Sequence, residues 1–192
     1  IMSNNWTQQD IPDLTGKVIV ITGANSGLGY ESSKTFAEKG ATVVMAVRSV
    51  NKGEKAKSDI LKSNPQASLD LMQLDVGDLN SVREFADAFK TKYDRLDILV
   101  NNAGVMAIPR QETADGFEMQ LGVNHLGHFA LTGLLIDVIV NTPNARIHNV
   151  TSSANYTGTI NFDDLMGEQS YGRWGAYGQS KLANVFFTFE LQ

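Results

Sequence analysis

Cysteine is absent from all 192 positions, which excludes both a disulfide framework and a thiolate metal site and suits a reducing compartment. A basic excess is absent too: 16 Lys and Arg stand against 21 Asp and Glu, for a net charge of -5, with no dense Lys/Arg block. That excludes the electrostatic footprint of a nucleic-acid binder or of a protein drawn to an anionic membrane. The N-terminal IMSNNWTQQDIPDLTGK is polar and lacks the basic-then-apolar order of a signal peptide. The longest apolar run, Phe129 to Val140, is broken by Thr132 and Asp137 and is too short to span a bilayer. A cytoplasmic location with no membrane contact is therefore expected, and the N-x-[ST] patterns headed by Asn5, Asn149 and Asn155 read as chance. Internal repeats, low-complexity tracts and linkers are missing as well. What remains, 42% hydrophobic and 19% charged, is the composition of one globular domain over 1–192.

The most informative stretch present is VIVITGANSGLG, Val18 to Gly29. Apolar or β-branched residues from Val18 to Thr22 run into a turn holding Gly23, Gly27 and Gly29, and an amphipathic segment follows at once. The order is strand, glycine loop, helix. In a βαβ unit such a loop brings backbone N–H groups and the positive end of a helix to a pyrophosphate, because glycine has no Cβ to hold the phosphate off. The spacing is GxxxGxG rather than GxGxxG. Taken alone, the loop reads equally well as a tight turn.

Downstream, Leu28, Ser32 and Phe36 recur at helical spacing before a stop at Gly40, and a second strand runs from Ala41 to Val47. A polar helix over Lys52 to Lys62 ends at Asn64-Pro65, and Ala67 to Leu74 is a third strand. Val82, Phe85, Ala86 and Phe89 make one apolar face of a helix over Ser81 to Tyr93. The fourth strand, Leu96 to Val100, leads through Asn101-Asn102-Ala103-Gly104 and a looser stretch with Pro109 to a long helix, Gly116 to Val140. Its second half is apolar nearly all round and is expected to be buried. Pro143 lies in the stop, and Ile147 to Thr151 is a fifth strand. Apolar strands alternating with helices predict a doubly wound α/β domain with a parallel sheet covered on both faces.

Arg48 ends the second strand, nineteen residues beyond Gly29. A carboxylate at that place accepts the 2′-OH of NAD, whereas a guanidinium forks onto the 2′-phosphate of NADP. No acid is there, so NADP is the expected cofactor, with Ser26 and Lys52 placed to add contacts to the same phosphate. Asp75, at the third-strand exit, suits the adenine amine. Asn102, Ala103 and Gly104 lie at the same carboxyl edge of the sheet, where open α/β sheets bind ligands.

Tyr177 and Lys181 are four residues apart in AYGQSKLANVFF and share a helix face. A phenol titrates near 10, and a neighbouring ammonium lowers that value by about 1.36 kcal/mol per unit, so this pairing can make a workable general acid/base at neutral pH. Ser152 offers a hydroxyl to the same substrate oxygen. Ser153 is the other candidate, and on a strand only one of two consecutive side chains can face the site. His125 and His128 have no carboxylate or third ligand beside them, so no metal site is expected.

TGANSGLG, NNAG, VNHLGHF, VTSS and YGQSK occur in the order found in the short-chain dehydrogenase/reductase superfamily, and the chain resembles it from Gly16 onward. The segments TADGFE (Thr113 to Glu118) and SKLAN, and the long Ser152 to Tyr177 spacing, are similar to the branch with retinol dehydrogenases, WW-domain oxidoreductases and protochlorophyllide-reductase-like enzymes. The resemblance implies a Rossmann sheet of order 3-2-1-4-5, with the family's sixth and seventh strands expected beyond Gln192. It implies Tyr177 as the proton donor or acceptor, Ser152 positioning the carbonyl, Lys181 binding the nicotinamide ribose while lowering the tyrosine pKa, and Asn124 holding a water in a proton relay. Gly23, Ser26, Gly27, Leu28 and Gly29 would cradle the pyrophosphate, and Arg48, Asp75, Val76, Asn102, Ala103, Gly104, Tyr177 and Lys181 would complete the NADP(H) site. Asn155 stands where many members of that branch have a histidine.

The expected activity is hydride exchange between NADP(H) and a carbonyl or alcohol. Tyr156, Phe162, Leu165, Met166, Tyr171 and Trp174, in the segment facing the substrate, suggest that this substrate is apolar or aromatic. The family also implies a homo-oligomer through the helices of Asn124 and Tyr177. The alternative is an NADP(H)-binding regulator without turnover, since fold does not fix function. The nucleotide-sugar epimerases, which share YxxxK, are set aside because their GxxGxxG loop does not fit Gly23, Gly27 and Gly29.

Overall fold

The computed structural model describes residues 6–192, so Asn5 lies outside the described residues. Five parallel strands form one sheet: β1 (Val18–Thr22), β2 (Thr42–Val47), β3 (Ser68–Gln73), β4 (Ile98–Asn101) and β5 (Arg146–Asn149), in the order β3-β2-β1-β4-β5. The central strands are continuous apolar runs because both of their faces are covered. Val18, Val20, Val44 and Ala46 point to one core, shared with Val82, Phe85, Leu131 and Leu135. Ile19, Ile21, Val43 and Met45 point to the other, shared with Ala37, Ala56 and Ile60.

Helices α1 (Gly27–Glu38) and α2 (Val50–Ser63) cover the second face, and α3 (Leu79–Lys92) covers the first. Asp78 caps α3 by accepting from the N–H groups of Asn80 and Ser81. After β4 comes a single turn α4 (Met119–Leu121), then a π-turn (Gly122–Leu126), then α5 (Gly127–Asn141). Helix α6 (Arg173–Glu190) follows β5.

Several boundaries and faces differ from expectation. The long helix starts at Met119 rather than Gly116, because Gly116 sits at φ +81° in a turn and Glu112 bridges Glu118 there. Its apolar second half is not buried all round: Leu131, Leu135 and Ile139 meet the core, whereas Phe129 is 55% and Val140 71% exposed. Among the described residues, Met119–Asn141 is the one stretch long and apolar enough by length and composition to cross a membrane, a measure that a core helix also meets. In α1 the buried stripe is Gly29, Ser33 and Ala37, not Leu28, Ser32 and Phe36. Gly29 packs against β1 and β4 so closely that no side chain fits, which turns Leu28 outward. The outer strands are not apolar runs, since only one side of each has a sheet neighbour: β3 carries Asp70, and β5 exposes Arg146 and His148. Strand β5 stops at Asn149 rather than Thr151. Of the α6 phenylalanines, Phe187 is buried against His125 and Phe129, while Phe186 and Phe189 are exposed.

Candidate functional site

The strands all end at one edge, and there the loops enclose a cavity of about 560 Å³. From the exit of β1 come Thr22, Gly23, Asn25, Ser26 and Leu28; from β2, Arg48; from β3, Asp75 and Val76. The β4 exit contributes Asn102, Ala103, Gly104, Val105 and Met106, the β5 exit Val150, Thr151 and Ser152, and α6 Tyr177 and Lys181. Residues scattered from 22 to 181 therefore share one wall.

Each part of that wall has a local cause. Gly23 turns at φ +66° directly over Ala103, leaving 3.1 Å to its Cα where a Cβ would stand. Gly27 adopts φ +54°, and Gly29 would overlap the Gly23 carbonyl if it carried a side chain. Gly27 and Gly29 thus shape the loop without lining the cavity themselves. Ser26 is the N-cap of α1 but makes no side-chain capping bond, so no side chain satisfies the N–H groups of the first turn. Arg48 is exposed and has no ion-pair partner among the described residues. Lys52 lies off the cavity on α2. Asp75 Oδ1 accepts from the Gly77 N–H at 2.9 Å, which holds the carboxylate at the cavity rim.

Lys181 is buried, and its Nζ donates to the Val150 carbonyl at 3.1 Å and lies 5.8 Å from the centroid of the Tyr177 ring. Burial holds its pKa below that of an ordinary lysine. Thr151 Oγ1 donates to the Lys181 carbonyl at 2.8 Å, tying the β5 exit to α6. Ser152 is reached after the strand has ended and begins a short 3-10 turn. It nevertheless faces the cavity, while Ser153 does not line it.

Asn124 lies just behind the wall, in the π-turn. Its Oδ1 accepts from Val105 N–H at 2.8 Å and its Nδ2 donates to the Val105 carbonyl and to Ser180 Oγ, each at 2.9 Å. Ser180 Oγ in turn donates to the Tyr177 carbonyl at 2.8 Å, so the turn after Gly104 is tied to the helix of Tyr177 through Asn124. The Asn124 carbonyl accepts from Asn184 Nδ2 at 3.0 Å. His125 and His128 serve structure: His125 bonds Asn184, His128 is fully buried, and no metal-holding cluster occurs among the described residues.

Part of the aromatic set in the 154–175 segment has other duties. Tyr171 Oη bonds Glu118 and Gln120, and the Met166 sulfur accepts from the Glu118 N–H. Leu165 lines a separate cavity of about 240 Å³. Tyr156, Phe162 and Trp174 remain largely exposed, and the Trp174 ring stands edge-on to Tyr177 at 6.1 Å. Sequence reasoning missed Glu118, Gln120 and Asn184, whose distant partners are 13 to 60 residues away, and Thr22, which the TG of the first motif contained.

A parallel sheet of this order with Ser, Tyr and Lys gathered at one edge is the arrangement of short chain dehydrogenases, and the chain belongs to that family: its profile matches residues 17–192. Among named relatives, human retinol dehydrogenase 12 is 50% identical over 178 residues, covering 93% of this chain and 56% of that protein. Human retinol dehydrogenase 13 is 45% identical over 179 residues, covering 93% and 54%. The chain thus spans about half the length of the curated relatives it matches. Of solved structures, an uncharacterized protein from Mycobacterium Paratuberculosis superposes with a TM-score of 0.85 at 47% identity, covering 97% of this chain and 65% of that one. A short chain dehydrogenase from Escherichia coli CFT073 complexed with NADPH gives 0.76 at 25% identity, covering 97% and 73%.

Proposed function

We propose that the protein is an NADP(H)-dependent oxidoreductase acting on a carbonyl or alcohol, with Tyr177 as general acid/base. The observation that carries this reading is the convergence of Ser152, Tyr177, Lys181 and Arg48 on a single cavity. The cavity fits a dinucleotide. The first turn of α1 lacks a side-chain cap and meets a pyrophosphate's needs, and Arg48 is available to a 2′-phosphate. A Cβ on Gly104 would stand 3.0 Å from Asn124 Oδ1, so glycine lets the β4 exit lie close against Asn124 beside the lysine. The solved relative complexed with NADPH supports the same cofactor.

NADP(H), when bound, supplies or takes the hydride at its nicotinamide ring. Tyr177 Oη gives a proton to the carbonyl oxygen in reduction and takes it back in oxidation, while Ser152 Oγ hydrogen-bonds that oxygen and steadies its developing charge. Lys181 Nζ, 5.8 Å from the Tyr177 ring centroid, puts a positive charge beside the phenol and would hold the ribose. Asn124 acts from behind by fixing Val105 and Ser180. Met106 on the cavity wall and the exposed Trp174 beside Tyr177 suit an apolar or aromatic substrate, in line with relatives named for retinol. Self-association would use the exposed Phe129, Ile136 and Val140 of α5 with Phe186 and Phe189 of α6.

The test is NADPH oxidation over a panel of aldehydes and ketones. Tyr177→Phe is expected to abolish turnover while NADPH binding persists. An undiminished rate would remove Tyr177 from the mechanism, and NADPH binding without turnover on any substrate would favour a regulator.

A further inference from the structure

His128 sits in the first turn of α5 and is 2% exposed, shut off from the cavity. Its Nδ1 lies 3.2 Å from the Asn124 carbonyl and its Nε2 lies 2.8 Å from Thr22 Oγ1. A carbonyl can only accept, so Nδ1 carries the ring proton and Nε2 is left as an acceptor. Thr22 Oγ1 accepts from the backbone N–H of Asn102 and of Ala103, both at 2.9 Å, which fills its two acceptor positions. Its single proton then has two possible acceptors, Nε2 at 2.8 Å and the Val100 carbonyl at 3.4 Å, and the shorter bond takes it. Both ring nitrogens of His128 and all three hydrogen-bonding positions of the Thr22 hydroxyl are thereby used. Were Nε2 to carry a proton, it would face an oxygen with no lone pair left, and the hydroxyl would have to turn away from one of the amides it holds.

We propose that His128 is a positioning residue for the cofactor floor: its neutral, Nδ1-protonated ring orients the Thr22 hydroxyl, which clamps the Asn102-Ala103-Gly104 turn against the glycine loop. The proposal rests on the reading that NADP(H) occupies this cavity. Through the Asn124 carbonyl the same ring also joins that floor to the π-turn, so the two sides of the cavity share one imidazole. Lys181 and His125 are the titratable groups whose charges bear on the ring, and both oppose its protonation.

The discriminating substitutions follow from atom positions. Glutamine can place an acceptor oxygen near where Nε2 stands, whereas leucine offers none. His128→Leu and Thr22→Val are each expected to weaken NADPH binding about tenfold or more, the double variant no further than either alone, and His128→Gln and Thr22→Ser to stay within about threefold of the parent. Binding is read by NADPH fluorescence without turnover. In the cofactor-free protein, 15N shifts of the imidazole are expected to show the Nδ1–H tautomer, and His128→Leu is expected to speed amide exchange at Asn102 and Ala103 but not in β2. An Nε2–H tautomer, unchanged affinity in His128→Leu, or equal losses in His128→Gln and His128→Leu would each overturn the proposal. Should His128→Leu fail to fold, the glutamine and Thr22 variants and the parent's tautomer still decide. Should the parent bind no NADP(H), the functional reading fails, while the tautomer and amide exchange still judge the clamp.

Discussion

Gly127 lies directly on the backbone carbonyl of Val76: a Cβ built on Gly127 would overlap that oxygen, so the first turn of α5 meets the β3 exit with no side chain between them. Neither partner can step aside, one being helix and the other the loop that holds Asp75 at the cavity rim. Gly127→Ala is expected to cost about 1 to 3 kcal/mol and to weaken NADPH binding with it. Gly133, on the same helix with open space around it, is the control: Gly133→Ala is expected to gain up to about 1 kcal/mol. Urea denaturation of the two variants reads both signs.

Acid should destabilise the protein in two separate windows. Burial holds the His128 pKa down to about 4, from 6.5, so the unfolded chain binds the proton first and stability falls as pH drops from about 6.5 to 4, by roughly 3 kcal/mol in all. For Asp97, burial by itself would raise the pKa, but hydrogen bonds from Arg95, the Val18 N–H and Lys17 outweigh it and bring the value from 3.8 to about 2. Its contribution is present above about pH 4 and is lost from there to about 2, at most about 1 to 2 kcal/mol because Lys17 and Arg95 are partly in solvent. His128→Gln is expected to shrink the upper limb, leaving the share of His125, whose pKa burial also lowers, and Asp97→Asn to shrink the lower limb in stability measured against pH.

Arg48→Ala is expected to lower NADPH affinity about 10- to 100-fold, the loss of one charge-assisted contact, and to leave NADH affinity nearly unchanged. Titration of each nucleotide against the variant checks both halves. Equal losses for the two would place the 2′-phosphate elsewhere.

Gln120 is fully buried and holds three distant backbones or side chains. Its Oε1 accepts from the Ala107 N–H at 2.7 Å, and its Nε2 donates to Tyr171 Oη and to the Arg173 carbonyl, each at 2.9 Å. Ala107 sits at φ +49°, a left-handed conformation that alanine adopts at a cost and that this bond helps to hold. Gln120→Leu leaves those groups unpaired and is expected to cost about 2 to 4 kcal/mol. It should raise KM for the carbonyl substrate while sparing NADPH affinity, because it frees the 105–110 and 165–173 loops rather than the glycine turn. Steady-state kinetics with either substrate varied separates the two effects.

The sheet order and the cavity were legible because β1, β2 and β4 are unbroken apolar runs and because each motif falls where such a strand ends. Local composition carries that information. It does not carry the π-turn, where the apolar and polar types alone cannot reveal one residue too many for the helix. Nor does it carry the outward turn of Leu28, which follows from Gly29 meeting Asn102, a neighbour some seventy positions away. Ser152 lines the cavity and Ser153 does not, but strand alternation is not what separates them, since β5 ends before either. Tyr171 reads as an aromatic for a substrate until Glu118 and Gln120 are seen to claim its hydroxyl.

The widened turn at Gly122–Leu126 has a last consequence. One surplus residue swings everything beyond it by about 100° around the axis, which is how Gln120 can reach back to the loops while Leu131, Leu135 and Ile139 still bed against the strands. Excising a single amino acid there would mend the spiral and, by rotating its two halves out of phase, pull the cavity wall apart. In this protein the regular helix is the defect.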